Sequence, residues 1–337
     1  MMTDRSIPKQ TTAPRISVKA VIIMTGAKRA RVDTTNDEGN EVAKEMLPPI
    51  TDKHIFQVEI AQPTAFRSLI ENVSNVIKTV ELRIVKQGTE EDEPQFEGLK
   101  IETLDDCKAC LVIAQLPCRV QVCASWAKRP FSSVCMSIEW LLLALRQVEP
   151  QYSLVLEQLV GQEDVVVARA FESVVSGDEL TADLRTLVPN NTHTIKLKEF
   201  PVDLQIEMDL QTVRTFLKSC EAIKSDEVEI TVSEYTLAND SKADVVSMAA
   251  CDKGTMGLKR VFRSATDDQT TEIPQGSGDV IFKAAFATKY LSSFVRSMNR
   301  TNVLFEMSQG SPLHVSYSLG HRDASVRFIL APKTDDE

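Results

Sequence analysis

The sequence predicts an α+β protein made of four repeated units, each a strand, then an amphipathic helix, then further antiparallel strands. Three observations predict it. Four segments place apolar residues at spacings of three and four, which lines one face of a helix. Between them lie short runs in which apolar and polar residues alternate, as half-buried strands require. The helical segments start near Thr64, Ile138, Asp209 and Ala285, roughly 70 to 76 residues apart, and a steady period of this kind marks internal duplication.

Residues 1–53 read as an N-terminal extension. Thr11 to Pro14 and Thr34 to Asn40 are polar and turn-rich, and Val18 to Met24 forms one strand. Lys28-Arg29-Ala30-Arg31-Val32-Asp33 is a short basic cluster, either a nuclear localisation signal or a solvated tail. Ordered structure starts near His54, where Phe56, Val58 and Ile60 alternate as a strand. Pro63 and Thr64 open the first helix, with Phe66, Leu69, Ile70, Val73 and Ile77 on its core face and Arg67, Glu71, Ser74 and Lys78 opposite. Strands follow at Val80 to Lys86, Gly98 to Glu102 and Ala109 to Leu116, with an acidic loop at Gly88 to Pro94.

The second unit runs from a strand at Ser133 to Ser137 into a helix at Ile138 to Val148, whose Leu141, Leu142 and Leu145 are core and whose Arg146 is on the polar side. Strands return at Ser153 to Gln158 and Val165 to Phe171. Val174 to Asn191 reads as an inserted loop or an extra element, and Thr192 to Phe200 as an edge strand. In the third unit, Asp209 caps a helix over Leu210 to Lys224. Its stripe is Val213, Leu217 and Cys220, with Arg214, Lys218 and Glu221 on another face. Strands follow at Val228 to Val232, Val245 to Ala250 and Met256 to Phe262. The fourth unit opens with a helix over Ala285 to Asn299, and strands follow at Val303 to Met307, Leu313 to Leu319 and Ser325 to Leu330. On that helix Ala287, Leu291, Phe294 and Met298 share one face, and Lys289, Ser293, Arg296 and Arg300 share another that holds no carboxylate.

The chain has 337 residues, 43% hydrophobic and 26% charged, enough for two medium domains with cores of their own. No apolar run approaches the roughly 20 residues of a membrane span. Seven cysteines, an odd count without a secretory signal ahead of them, read as reduced thiols of an intracellular protein. A net charge of −10 argues against a nucleic-acid binder unless the cations are gathered on one surface. Every helix carries at least one cation opposite its core stripe, so the sequence meets that condition.

With this period, the segments Phe286-Ala287-Thr288-Lys289-Tyr290-Leu291, Ser311-Pro312-Leu313-His314-Val315-Ser316-Tyr317 and Leu330-Ala331-Pro332-Lys333, followed by acids, resemble the last helix, penultimate strand and tail of the sliding clamps of the proliferating cell nuclear antigen (PCNA) family. Gly98 to Leu116, with Leu104-Asp105, resembles the family's first-domain segment more weakly. The resemblance covers His54 to Glu337 and leaves out the extension and Val174 to Asn191. It implies a DNA clamp fold: residues 54–198 as domain 1, 199–205 as connector and 206–337 as domain 2, each domain with two helices on antiparallel sheets. It implies a homotrimeric ring with helices lining the hole. The divergence suits a large DNA virus or a distant eukaryote, so the expected site of action is the nucleus or a viral replication site.

The resemblance also assigns residues. Arg67, Arg146 and Lys289 match the family's lining cations. Arg296 and Arg214 join them, and Lys78, Lys218 and Arg300 are assigned from helix face. Leu143 and Ser74 stand where the family usually has lysine. Leu104, Pro312, Ile329, Ala331 and Pro332 match the pocket that holds partner peptides, with Ile329 in place of a common aromatic and Lys108 in place of a common histidine. Subunits would join by edge strands, Thr192 to Lys198 of one chain with Gly254 to Arg263 of the next, or Glu179 to Val188 in place of the first. The implied partners are duplex DNA without sequence preference, a DNA polymerase and other replication and repair proteins, and a clamp loader.

Other chemistry is disfavoured. Cys107 and Cys110, with Cys118 and Cys123, lack the second close pair of a zinc site. His314 and His321 read as strand residues, and Gly254-Thr255-Met256-Gly257-Leu258-Lys259 lacks phosphate-loop spacing. No enzyme motif and no cofactor is indicated. Three readings stand: a processivity clamp around DNA; a clamp-fold factor acting as a monomer or heteromeric ring subunit; and an interaction scaffold that does not encircle DNA.

Overall fold

The structure is a computed structural model that describes residues 50–87, 96–123, 132–172, 179–188, 201–236, 242–252, 256–263, 278–298, 300–319 and 324–333. The first half of the chain is β1 (His54–Ile60), α1 (Pro63–Ser74), β2 (Thr79–Val85), β3 (Gly98–Leu104), β4 (Cys110–Pro117), β5 (Arg119–Val122), β6 (Ser132–Ser137), α2 (Ile138–Leu145), β7 (Tyr152–Leu159), β8 (Val165–Glu172) and β9 (Glu179–Leu187). The second half is β10 (Leu204–Asp209), α3 (Leu210–Ala222), β11 (Glu227–Thr236), β12 (Lys242–Asp252), β13 (Met256–Arg263), β14 (Asp279–Ala287), α4 (Thr288–Arg296), β15 (Asn302–Met307), β16 (Leu313–Ser318) and β17 (Ser325–Leu330). This is the predicted α+β plan of four strand–helix–strand units. Among the described residues no helix is long and apolar enough to cross a membrane.

The two halves pair their strands alike. β1 pairs with β7 as β10 pairs with β15, and β2 pairs with β6 as β11 pairs with β14. β17 is where the halves meet, lying between β16 and β4, with Leu330 opposite Cys110 and Ser325 opposite Gln115. The result is one sheet in the order β10-β15-β16-β17-β4-β3-β2-β6, continued through a short β6–β9 pairing into β8-β7-β1-β5, and a second sheet β13-β12-β11-β14.

All four helices pack on one face of these sheets. Phe294 of α4 stacks on Phe328 of β17 at 4.3 Å between centroids and 9° between planes, an offset-stacking distance for aromatic rings. Helix α1 packs on α2, α3 on α4 and α1 on α4, giving the row α2-α1-α4-α3. Across the α1–α4 junction Asn75 Nδ2 donates to Ser297 Oγ at 2.8 Å. The stripes predicted for α1, α2 and α3 are buried. Asp209 caps α3 as predicted, accepting from the Thr212 amide at 2.7 Å.

The structure moves the start of α4, adds a strand and resolves an open reading. Ala285 to Ala287 end a strand, because Phe286 pairs with Val228 and is fully buried; the chain enters α4 with no loop between. Strand β5 was not expected, and it extends β1 through four pairs. The stretch 174–191, read as a loop or extra element and, over Glu179 to Val188, as the alternative edge strand, contains the strand β9, which pairs with β8 from Glu179 to Arg185. The expected edge strand at 192–200 and the domain boundary at 198 lie outside the described residues.

Candidate DNA-facing surface and peptide groove

Helix α4 gives the plainest cationic face. Lys289 and Arg296 are exposed beside half-buried Ser293, and the Lys289 ammonium sits 4.7 Å from the Tyr290 ring centroid, within cation–π range. The face has a carboxylate after all, donated by the neighbouring helix: Glu221 of α3 stands 3.5 Å from Arg296. Lys218 of α3 is exposed and Arg67 of α1 half-buried.

The remaining predicted cations divide. Arg214 is engaged with protein. Its guanidinium donates to the Val295 carbonyl at 3.1 and 2.8 Å and to the Met298 carbonyl at 2.7 Å. It therefore satisfies one carbonyl in the last turn of α4 and one just past the helix, and sets a positive charge at that helix's negative end. Its bonds within the protein set it apart from the exposed Lys289 and Arg296. Lys78 and Arg300 were placed by helix face, but α1 ends at Ser74 and α4 at Arg296, so that argument does not apply to them. Both are exposed. Arg146, just past α2, is exposed too.

Helix α2 departs from the others. Its N-cap Ser137 stands opposite Thr79 in the β2–β6 pair, as the α4 N-cap Ala287 stands opposite Glu227 in the matching β11–β14 pair. Counting from these caps puts Glu139 where Lys289 lies and Leu143 where Ser293 lies. Glu139, Trp140 and Leu143 are all exposed. Leu143 and Ser74 stand where the resemblance expects lysine, and Glu139 adds an exposed carboxylate to α2.

On the opposite, outward face of the long sheet, cross-strand partners form a straight row: Leu104, Leu111, Ile329, His314, Glu306 and Gln205. Residues opposite one another in adjacent strands share a face, so half of this row is apolar and half polar. Gln205 Nε2 donates to Glu306 at 3.1 Å. Two of the five predicted pocket residues, Leu104 and Ile329, are in the row. Half-buried Pro312 precedes β16, and exposed Ala331 and half-buried Pro332 follow β17. The Ala331 amide donates to the Ala109 carbonyl at 2.9 Å, and Lys333 to the Ala285 carbonyl at 2.8 Å, so the tail is tied down on both sides. Leu111, Glu306 and His314 join the row through strand pairing. Their signal was register, which one strand's pattern does not carry.

The turn between β3 and β4 is organised by Asp105. Its buried carboxylate accepts from the amides of Cys107 at 3.1 Å, Ala109 at 2.8 Å and Cys110 at 2.7 Å, and from the Tyr290 hydroxyl of α4. Burial pushes its pKa up, but these four donors outweigh that and hold it below the usual 3.8. Tyr290 is pushed up in turn, by burial and by the same carboxylate. One bond thus ties the loop beside the groove to the helix that carries the cations.

His314 is buried, and burial together with Arg327 lowers its pKa from 6.5, against an opposing pull from Glu306. The neutral ring is the folded form, so stability should be unaffected above pH 6.5 and fall as pH drops through 6.5 toward the lowered value, where only the unfolded chain takes up the proton. Chemical denaturation between pH 7.5 and 5 should show this decline, and His314→Gln should lessen it; an equal decline in the variant would assign it elsewhere.

A cavity of about 640 Å³ lies on the same outward face, toward the other ends of these strands, among Glu102, Gln115, Arg300, Asn302, Ser316 and Arg327. None of the five predicted pocket residues lines it. Of the cysteines weighed for zinc, burial pushes Cys118 up to about 12 and Cys110 higher, so both are held as thiols.

No protein-family model matches the chain, and no curated protein matches it by sequence. Solved structures do. The Proliferating Cellular Nuclear Antigen of Entamoeba histolytica aligns with a TM-score of 0.63 at 15% identity over 83% of this chain and 100% of its own. PCNA from Thermococcus kodakaraensis aligns at 0.61 and 17% identity, over 82% and 100%. The PCNA2–PCNA3 complex of Sulfolobus tokodaii aligns at 0.58 and 15% identity, over 82% and 99%. With its paired halves and four helices on one side of antiparallel sheets, this chain has the fold of the PCNA sliding clamps.

Proposed function

We propose that the chain is a ring subunit that encircles duplex DNA and holds a DNA polymerase and other replication and repair proteins on it, as a homotrimer placed on DNA by a clamp loader in the nucleus or at a viral replication site. The observation that carries this reading is the helix row α2-α1-α4-α3 on one face, with Arg67, Lys218, Lys289 and Arg296 along it, on a chain whose net charge is −10. Gathering cations on one surface of an acidic protein suits a lining that meets phosphate without reading bases. The protein would act as a topological tether, not as an enzyme. Leu104, Leu111, Ile329, Pro312, Ala331 and Pro332 would receive the apolar residues of partner peptides, with domains at 54–198 and 206–337 joined by a connector at 199–205.

Replacing Lys218, Lys289 and Arg296 together with alanine should weaken DNA association and reduce the slope of log affinity against log salt by about 2 to 3 units, near 0.9 for each phosphate no longer neutralised. An unchanged slope would remove these residues from the DNA-facing set. Retention on circular DNA with loss from linearised DNA tests encirclement, and equal loss from both would sink it. A second reading, a subunit of a heteromeric ring, is favoured by the alignment with a complex of two different clamp chains; mass in solution separates the two.

A further inference from the structure

A second row of cross-strand partners runs beside the groove on the same outward face. Moving two residues along each strand from the row that runs Leu104 to Gln205 gives Glu102, Ile113, Arg327, Ser316, Leu304 and Glu207. A step of two keeps side chains on one face and moves them about 7 Å along the strand. All of this second row lines the outward cavity, and Ser318 and Ser325, opposite each other one step further on, line it too.

The charges in the cavity are not all answered. Glu102 is held by Arg83 at 2.6 Å, and Glu207 accepts from Asn302 Nδ2 at 2.9 Å. Arg327 and Arg300 are exposed, and among the described residues neither has a carboxylate within ion-pair distance. A guanidinium presents its N–H donors in a planar fork that matches the two oxygens of a carboxylate or phosphate, and serine hydroxyls add further donors. The cavity therefore suits an oxyanion. The sheet separates it from the helix row, so duplex DNA lying on Lys289 and Arg296 does not supply that oxyanion. Arg327 links the cavity to the groove instead. Its charge acts on His314, which stands with Glu306 in the groove row.

We propose that this cavity binds an acidic segment of a partner protein, its carboxylates seated on Arg327 and Arg300, alongside the apolar anchor received by Leu111 and Ile329. The partner's place in the groove rests on the groove reading; the anion site rests on the cavity and its arginines. With a net charge of −10, the chain repels acidic peptides in general, so saturable binding of one marks a local cationic site.

The test uses the full chain and a fluorescein-labelled hexaglutamate peptide at low ionic strength, read by anisotropy. The peptide should bind saturably. Arg327→Gln and Arg300→Gln should each weaken it about three- to tenfold, as exposed charge-assisted pairs do, and Lys289→Ala should leave it unchanged. By NMR the pKa of His314 should rise once the peptide neutralises Arg327, and adding peptide to Arg327→Gln should move it no further. Absence of binding, or binding by both arginine variants equal to wild type, overturns the inference. A loss confined to Lys289→Ala also overturns it, by putting the peptide on the helix row. Inorganic phosphate that displaces the peptide at equal or lower concentration makes this a free-anion site and overturns the acidic segment. Failure of apolar partner peptides to bind at Leu111 and Ile329, with hexaglutamate binding intact, sinks the groove reading and leaves the anion site standing.

Discussion

Asp105→Ala should lower stability by about 3–5 kcal/mol, because four donors lose one buried acceptor. Three of them are backbone amides of the β3–β4 turn and the fourth is the Tyr290 hydroxyl. Lys108, at φ 57° in the same turn, holds a conformation that a non-glycine residue enters at a cost, and the carboxylate's bonds are what hold it there. The loss should show in urea denaturation as a lower midpoint with unchanged slope. It should also depend on pH. The folded-state pKa of Asp105 is lowered, so its contribution is whole above the unfolded value near 3.8 and is lost as pH falls through the depressed one. The variant should therefore approach wild type in strong acid. Tyr290→Phe removes a single bond and should cost about 1–2 kcal/mol. If Asp105→Ala melted like wild type at neutral pH, the turn would be held by something other than its carboxylate. Because the same turn bears Ala109, which accepts from Ala331 beside the groove, the variant should also bind groove peptides less tightly.

Arg214→Ala should cost about 2–3 kcal/mol and leave the salt dependence of DNA association unchanged. Its guanidinium makes charge-assisted bonds to two carbonyls at the C-terminal end of α4, and deletion leaves those carbonyls without the partner and the helix end without its cation. Lysine would restore the charge but not the fork that reaches both carbonyls, so Arg214→Lys should recover only part of the loss. A melting temperature near wild type with a flatter salt slope would return Arg214 to the phosphate-facing set. The contrast with Lys289 and Arg296 is the useful one: cations on adjacent helices sit in different surroundings, and the helix pattern alone does not separate them.

The two cases show what one strand or helix can reveal. The core stripes of α1, α2 and α3 were legible because burial on one face imposes a period of three to four on the sequence itself. Strands such as β8 and β16 were legible by the same reasoning at a period of two. The start of α4 was misread because β14 runs into it without a turn, so Ala287, the last residue of the strand, extended the helical spacing backwards. Strand β9 was only one of two candidates because its sequence, ELTADLRTL, is largely polar. An edge strand with little covered surface has no reason to alternate strongly. Of the row on the face opposite the helices, Leu104 and Ile329 were named by the family resemblance, as were Pro312, Ala331 and Pro332 beside it, while Leu111, His314 and Glu306 came from register.

By itself, then, the sequence determined the α+β class, the four-unit repeat and the amphipathic faces, because each depends on neighbours within one element. Tertiary structure decided that β17 pairs with β4, that Arg214 reaches α4, that Glu221 approaches Arg296 and that Glu139 takes the place of Lys289 in the row. Those facts depend on contacts between residues tens to hundreds of positions apart, whose geometry exists only once the separate elements have packed against a common core.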